Sequence, residues 1–317
     1  MKKRFYVALI MIAAVVGAFA FRLIPVYGVY VFDLLVGCIA ILSALEMVKM
    51  LDGMKIFSSP MAVGVYPSMM FAGHMFHFLF KLELHYWFII QAGILVLMFL
   101  LTYIAYLFNT KILIAKRTEN KLSRNKLAIK TALGSLFAFV YPAMLFLPMM
   151  LMNRIDAIKI PCIKEFSGNL GWLLLVCALI IPIISDTAAY FSGKLIGGVK
   201  LCPKVSPKKT VAGAVCAVMF TGAVMGALYF LFNVFGVFKA GLIFNKIEMW
   251  HFIVLGILGS IVSQAGDLFE SFLKRKANVK DSGVVFPGHG GFLDRLDSHL
   301  FAAPFTLAFF AVLFVIL

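Results

Sequence analysis

Long apolar runs recur from one end of this 317-residue chain to the other. About 17–25 consecutive apolar residues suffice to carry a helix across a bilayer. Nine such segments are predicted: 4–24, 28–46, 60–80, 86–108, 132–152, 169–191, 211–237, 250–270 and 301–317. The composition agrees: 63% of residues are hydrophobic, 14% are charged and the mean hydropathy is +1.01. Soluble domains run at about 45–50% apolar and about 25% charged. Strands of a membrane barrel would alternate polarity over about ten residues, and no such pattern is present. The expected class is therefore an all-α, polytopic integral membrane protein with about nine transmembrane helices.

The first run follows Met1–Arg4 and contains a small-residue triplet, Ala18–Ala20, that mimics a signal-peptide cleavage site. The run is long and leads straight into a second span, so it is read as retained. Five cysteines (Cys38, Cys162, Cys177, Cys202 and Cys216) show neither ligand spacing nor a disulfide framework; isolated cysteines behave as small apolar residues.

The net charge of +15 could suggest nucleic acid, but its distribution argues for membrane topology. Cytoplasmic loops concentrate Lys and Arg. With the N-terminus inside, 22 of the 29 basic residues fall in inner segments. The orientation predicted is N-terminus cytoplasmic and C-terminus outside, with no nucleic-acid partner. The basic loop 109–131 is expected along the anionic inner leaflet. Residues 1–131 then form a region of transmembrane helices and basic loop, and 132–317 a region that carries the motifs.

Intramembrane charge is scarce in the first half. Asp33 is a buried, snorkelling or functional carboxylate. His74 and His77 sit three apart on a predicted span, a spacing able to share a metal, although no third ligand is near; packing or a polar contact is the default reading.

The second half differs in three places. "SDTAAYFSGK", Ser185–Lys194, puts Asp186 at the inner end of a span, where a carboxylate costs about 2.5–3.5 kcal/mol on insertion scales. "KVSPKKTVAG", Lys204–Gly213, combines a Ser206-Pro207 turn, Lys208 and Lys209, and Thr210 as the N-cap of the next span. A helix N-terminus beside lysines suits a phosphate. The third stretch runs from Gly266 to Ser298. On a helix, Ser260, Ser263 or Gln264, Asp267, Glu270 or Ser271, and Lys274 share one face. Gly288, Gly290 and Gly291 follow, then Asp294 and Asp297, three apart. Five of the fourteen acidic residues lie within these last positions, Asp267 to Asp297, interleaved with Lys274, Arg275, Lys276, Lys280 and Arg295. Carboxylates mixed with cations around a glycine-rich loop suit a polyphosphate with Mg²⁺, which binds through one or two carboxylates plus substrate phosphates. The bland alternative is a loop whose charges pair with one another.

These residues resemble the signature of the phosphatidate cytidylyltransferase (CDP-diacylglycerol synthase) family: Ser271, Lys274-Arg275, Lys280-Asp281-Ser282-Gly283, Pro287-Gly288-His289-Gly290-Gly291, Asp294-Arg295 and Asp297. "SDTAAY" and "SPKKT" are similar to the family's upstream motifs, in the same order. Ala212 stands where the family usually has Glu, and the first 130 residues contribute only hydrophobicity. The resemblance implies a Mg²⁺-dependent nucleotidyltransferase, with two metal ions, that converts CTP and phosphatidic acid to CDP-diacylglycerol and pyrophosphate. It implies a multi-pass enzyme of the cell membrane, a homodimer, with a cytoplasm-facing site in a polar cavity open to the inner leaflet. It assigns Asp267 and Asp294 as the main metal ligands, with Asp297 and Asp186 in support. Lys208, Lys209, Lys274 and Arg295 go to phosphate charge, and Ser206, Asp281, Gly290 and Gly291 to nucleotide binding. His289 is left between orienting phosphate and locking the loop. The rivals are a CTP-dependent polyprenol-type lipid kinase, a cytidylyltransferase for a non-diacyl lipid phosphate, and a secondary transporter.

Overall fold

The computed structural model describes residues 27–108, 123–157, 170–235, 247–286 and 290–316, with five single positions ahead of residue 27. The expected first span and the basic loop therefore lie largely outside the described residues, as does His289.

Helices dominate: α1 (Tyr27–Gly53), α2 (Pro60–Leu79), α3 (Leu84–Phe108), α4 (Arg124–Val140), the short α5 (Leu147–Arg154), α6 (Leu170–Ile196), α7 (Val211–Val234), α8 (Met249–Lys276) and α9 (Leu293–Ile316). Among the described residues, seven helical segments are long and apolar enough to cross a membrane: α1, α3, Arg124–Arg154, α6, α7, α8 and α9. The protein is an all-α membrane protein with one small hairpin, β1 (Lys200–Cys202) and β2 (Ser206–Thr210).

Several helices outrun their apolar sequence. α1 extends to Gly53, α6 to Ile196 and α8 to Lys276, because a backbone whose amides are already paired has no reason to unwind when it leaves hydrocarbon. α6 stops only at Gly197 (φ 68°), whose N–H donates to the Gly193 carbonyl at 3.1 Å, a left-handed C-cap. The last span begins at Leu293 instead of 301. Asp294, which made that stretch read as loop, sits in the first turn, where an acidic side chain suits the helix dipole.

Ser206-Pro207 does not turn. The bend is at Pro203–Val205, with Val205 N–H donating to the Cys202 carbonyl at 3.1 Å. Ser206 is driven extended by the following proline, and β2 pairs antiparallel with β1, Lys200 opposite Thr210. Thr210 caps α7 as expected, its hydroxyl accepting from Gly213 N–H at 3.1 Å.

The chain divides into two compact units: Met1–Phe146 with Lys274–Arg295, and Leu147–Leu273 with Leu296–Leu317. In the first, Met47, Leu51, Val63, Leu127, Ala132 and Phe139 form the core. Ser59 caps α2, and Pro60 occupies its first turn, where no N–H is missed. Asp33 and His74 meet here. Trp87 Nε1–H donates to His74 Nδ1 at 3.1 Å, so the ring's other nitrogen carries its proton and faces Asp33 Oδ2 at 3.5 Å. Both are fully buried. The carboxylate and the histidine thus form one polar tie among α1, α2 and α3. No group of three or more His, Cys, Asp or Glu able to hold a metal occurs among the described residues.

In the second unit, α7 and α8 approach closely enough that a Cβ on Gly256 would lie 2.7 Å from the Thr221 carbonyl oxygen, the small-residue packing usual between membrane helices. α8 is two-faced: Ser260, Ser263, Gln264 and Glu270 are buried, whereas Leu258, Ile261 and Phe272 are exposed.

Candidate active site

Each unit carries one charged cluster. In the first, the end of α8, the start of α9 and the segment between them converge on Asp294. Its Oδ1 accepts from Lys274 Nζ at 2.8 Å. Its Oδ2 accepts from Ser282 N–H at 2.8 Å, the Ser282 hydroxyl at 2.9 Å and Gly291 N–H at 2.8 Å. The side chain is only 5% exposed, so this many donors is what burial of a charge requires.

A second carboxylate enters from far away in sequence. Glu46, on α1, accepts from Phe292 N–H at 3.1 Å, Leu293 N–H at 2.9 Å and the Ser282 hydroxyl at 3.2 Å. Phe286 and Gly290 exchange both backbone hydrogen bonds, at 2.9 and 3.2 Å. Gly290 has φ 87°, a conformation open to glycine at little cost.

The second cluster gathers on α6, β2, α8 and α9. Lys209 forms an ion pair with Asp267, both about one-fifth exposed. Asp267 also accepts from the Ser271 hydroxyl at 3.2 Å. Asp186 accepts from the Ser298 hydroxyl at 3.1 Å and stands close enough to Asp267 and Lys209 to feel both charges. Asp297 accepts from Ser298 N–H at 2.7 Å, and its carboxyl group meets that of Glu270, with Asp267 also near. Four carboxyl groups thus gather beside a lysine and two serine hydroxyls. Carboxyl groups so close resist ionising together unless a cation or a shared proton lies among them.

The polar stripe on α8 meets polar neighbours. The Ser260 and Ser185 hydroxyls are 2.8 Å apart, and Gln264 Nε2 donates to the Ala214 carbonyl at 3.3 Å and to the Ser260 hydroxyl at 3.2 Å. An apolar groove of about 600 Å³, lined by Ala223, Gly226, Phe230, Met249 and Ile253, lies at the opposite ends of α7 and α8 from Lys209 and Asp267.

The profile of the cytidylyltransferase family matches residues 2–313, nearly the whole chain. This chain belongs to the cytidylyltransferase family. Among individual relatives, it is 42% identical over 142 residues to a phosphatidate cytidylyltransferase of Rickettsia felis, covering 45% of this chain and 60% of that protein. It is 39% identical over 135 residues to the protein of that name from Helicobacter pylori, covering 43% and 46%. A Haemophilus influenzae protein of the same name is 39% identical over 140 residues, covering 44% and 46%. The chain spans about half the length of the curated relatives it matches.

The cytidylyltransferase signature is thus divided between the two clusters. Lys274, Ser282, Gly290, Gly291 and Asp294 fall in the first. Asp186, Lys209, Asp267, Ser271 and Asp297 fall in the second. Lys208, Asp281 and Arg295 are exposed, and Ser206 is half-buried on β2. The Gly290 and Gly291 N–H groups are already engaged, by Phe286 and Asp294. Sequence reasoning missed Glu46 altogether. Its only local signal is a carboxylate in the apolar run of α1, and nothing nearby names its partner.

A divalent cation fits the second cluster by the chemistry of its donors. Every candidate ligand there is a carboxyl or hydroxyl oxygen, the choice of a hard ion. No three of these residues converge on one point among the described residues, so an ion held here would have to draw the rest of its shell from water or other oxygen donors.

Proposed function

We propose that this protein transfers CMP from CTP to phosphatidic acid, giving CDP-diacylglycerol and pyrophosphate, in phospholipid biosynthesis. The observation that carries the reading is the gathering of Asp186, Lys209, Asp267 and Asp297 into one accessible cluster on membrane helices of a cytidylyltransferase-family chain. The names of the relatives point to the same substrates.

In this reaction a phosphate oxygen of phosphatidic acid attacks the α-phosphorus of CTP. The bond from that phosphorus to the bridging oxygen of the β-phosphate breaks, and pyrophosphate leaves with its electrons. The nucleophile is already anionic, so no strong general base is needed and none is assigned. The difficulty is bringing two anions together, which is a matter of charge and position.

We assign Asp267 and Asp297, supported by Asp186, to Mg²⁺. Asp294 is likewise assigned to Mg²⁺; two ions are expected. Bound there, Mg²⁺ would polarise the phosphoryl oxygens and stabilise the departing pyrophosphate. Lys209, held by Asp267, presents a compact cation to phosphate, and Lys208, Lys274 and Arg295 add charge. Ser206 and Asp281 serve nucleotide binding, with His289 left to orient phosphate or lock its loop.

The same reading places the protein in the cell membrane as a homodimer with nine spans. The N-terminus is cytoplasmic, residues 132–317 carry the chemistry, and a polar cavity opens to the inner leaflet. Its support is the concentration of basic residues in alternate loops and the direction in which a lipid phosphate must arrive.

The test is transfer of label from α-³²P-CTP and, separately, γ-³²P-CTP to phosphatidic acid by purified protein in detergent, with Mg²⁺ or EDTA. Mg²⁺-dependent CDP-diacylglycerol labelled only from the α position is expected. Transfer of γ-label to a lipid alcohol, or no turnover with any lipid phosphate, would overturn the reading.

A further inference from the structure

Glu46 lies 236 to 247 residues from the groups that donate to it, yet it occupies the most constrained point of the first cluster. We infer that Glu46 is a positioning residue: its carboxylate shapes the segment from Ser282 to Leu293, and through it the placement of Asp294. The consequence for catalysis rests on the function proposed above; the shaping itself does not.

The first N–H groups of a helix have no partner within it, and such a terminus readily binds an anion. At α9 that anion is supplied from within the chain. Phe292 and Leu293 donate to Glu46, and Gly291 donates to Asp294. Both carboxylates sit at the positive end of the helix dipole. The N-terminus of α9 is therefore already filled, and nucleotide phosphate must be met by side-chain cations instead.

Two glycines of the signature acquire a specific reason. A Cβ on Gly283, or on Gly291, would run into the Glu46 carboxylate. Neither residue has a positive φ, so what a side chain there would displace is the end of the Glu46 side chain, not the backbone. α1 also touches the chain ahead of that segment at Gly53, where a Cβ would lie 2.8 Å from the Ala277 carbonyl oxygen. A helix that contributes no signature residue thus holds the signature's central loop.

The experiment compares wild type, Glu46→Gln and Glu46→Ala, purified as full chains in detergent, by hydrogen exchange and by steady-state CMP transfer. Peptides covering 282–296 should exchange about tenfold faster in both variants, as expected for loss of hydrogen bonds to a charge, while α6 peptides stay unchanged. The kcat should fall about tenfold or more, with KM for CTP within about threefold, because misplaced groups, not lost substrate contacts, are responsible. Gly283→Ala should displace the Glu46 carboxylate and lower stability in the wild-type background, a loss relieved in Glu46→Ala, and this cycle still decides the matter if Glu46→Gln proves unstable. Unchanged exchange at 282–296, or no relief of Gly283→Ala, would overturn the inference. Faster exchange with unaltered kcat would reduce Glu46 to a structural tie and overturn its positioning role. Should wild type transfer no CMP, the proposed function fails, and exchange with the glycine cycle still decides the role of Glu46.

Discussion

The two charged clusters are built from the same residue types and reach opposite ends. In the first, the Asp294 and Glu46 carboxylates meet Lys274, the Ser282 hydroxyl and four backbone N–H groups. Nearly every oxygen is used, and the result is a helix start tied by hydrogen bonds. In the second, Asp186, Asp267, Glu270 and Asp297 crowd around Lys209, Ser271 and Ser298. Carboxyl groups outnumber the cations described beside them, an arrangement that a bound cation or a shared proton would relieve. In the first cluster the partners come from the chain itself; the second is where we propose that a cation binds. Density of charge in sequence does not separate these cases; the identity of the donors does.

Substitutions can break this contrast. The largest effect on activity is expected from Asp267→Asn, which removes a proposed cation ligand and frees Lys209. CMP transfer should fall on the order of 10³-fold at saturating lipid, in keeping with several kcal/mol of transition-state stabilisation. Lys209→Met comes next, with a loss of about 10²-fold in kcat/KM for CTP, partly restored by Lys209→Arg, which keeps charge but not the compact ammonium. A radiometric assay with varied CTP measures both.

The first cluster should also report through stability. Lys274→Met leaves the nearly buried Asp294 without its cation, a class of change that costs about 3–5 kcal/mol. Asp294→Asn made in the Lys274→Met background should recover part of that loss, so the two changes are non-additive in a thermal-denaturation cycle. The smallest effect is expected outside both clusters. Thr210→Ala removes the cap of α7 and should lower stability by about 1 kcal/mol, with Thr210→Ser close to wild type in the same measurement.

The sequence made part of this visible. Spans were legible because hydrocarbon demands apolar side chains along its whole thickness. Their ends were not, because a helix does not stop where apolarity stops: α9 begins eight residues before its apolar run, with Asp294 in its first turn. The second cluster was legible because Asp186, Asp267 and Asp297 are costly in such a chain and lie near lysines in sequence. Asp33 and His74 appeared as two isolated oddities; only helix packing made them partners. Glu46 was invisible for the same reason, since all its donors come from the far end of the chain. The Ser206-Pro207 pair misled: a residue before proline is extended, a geometry that serves a strand as well as a turn.

Mn²⁺ binding followed by electron paramagnetic resonance, in the presence of CTP, tests the contrast most directly. Mn²⁺ stands in for Mg²⁺, and wild type, Asp267→Asn/Asp297→Asn and Glu46→Gln are compared. The account predicts that wild type and Glu46→Gln bind the ion with similar affinity, while the double variant weakens binding about 10²-fold or more. Equal binding by the double variant, or loss of the ion only in Glu46→Gln, would contradict the assignment of an ion to Asp267 and Asp297.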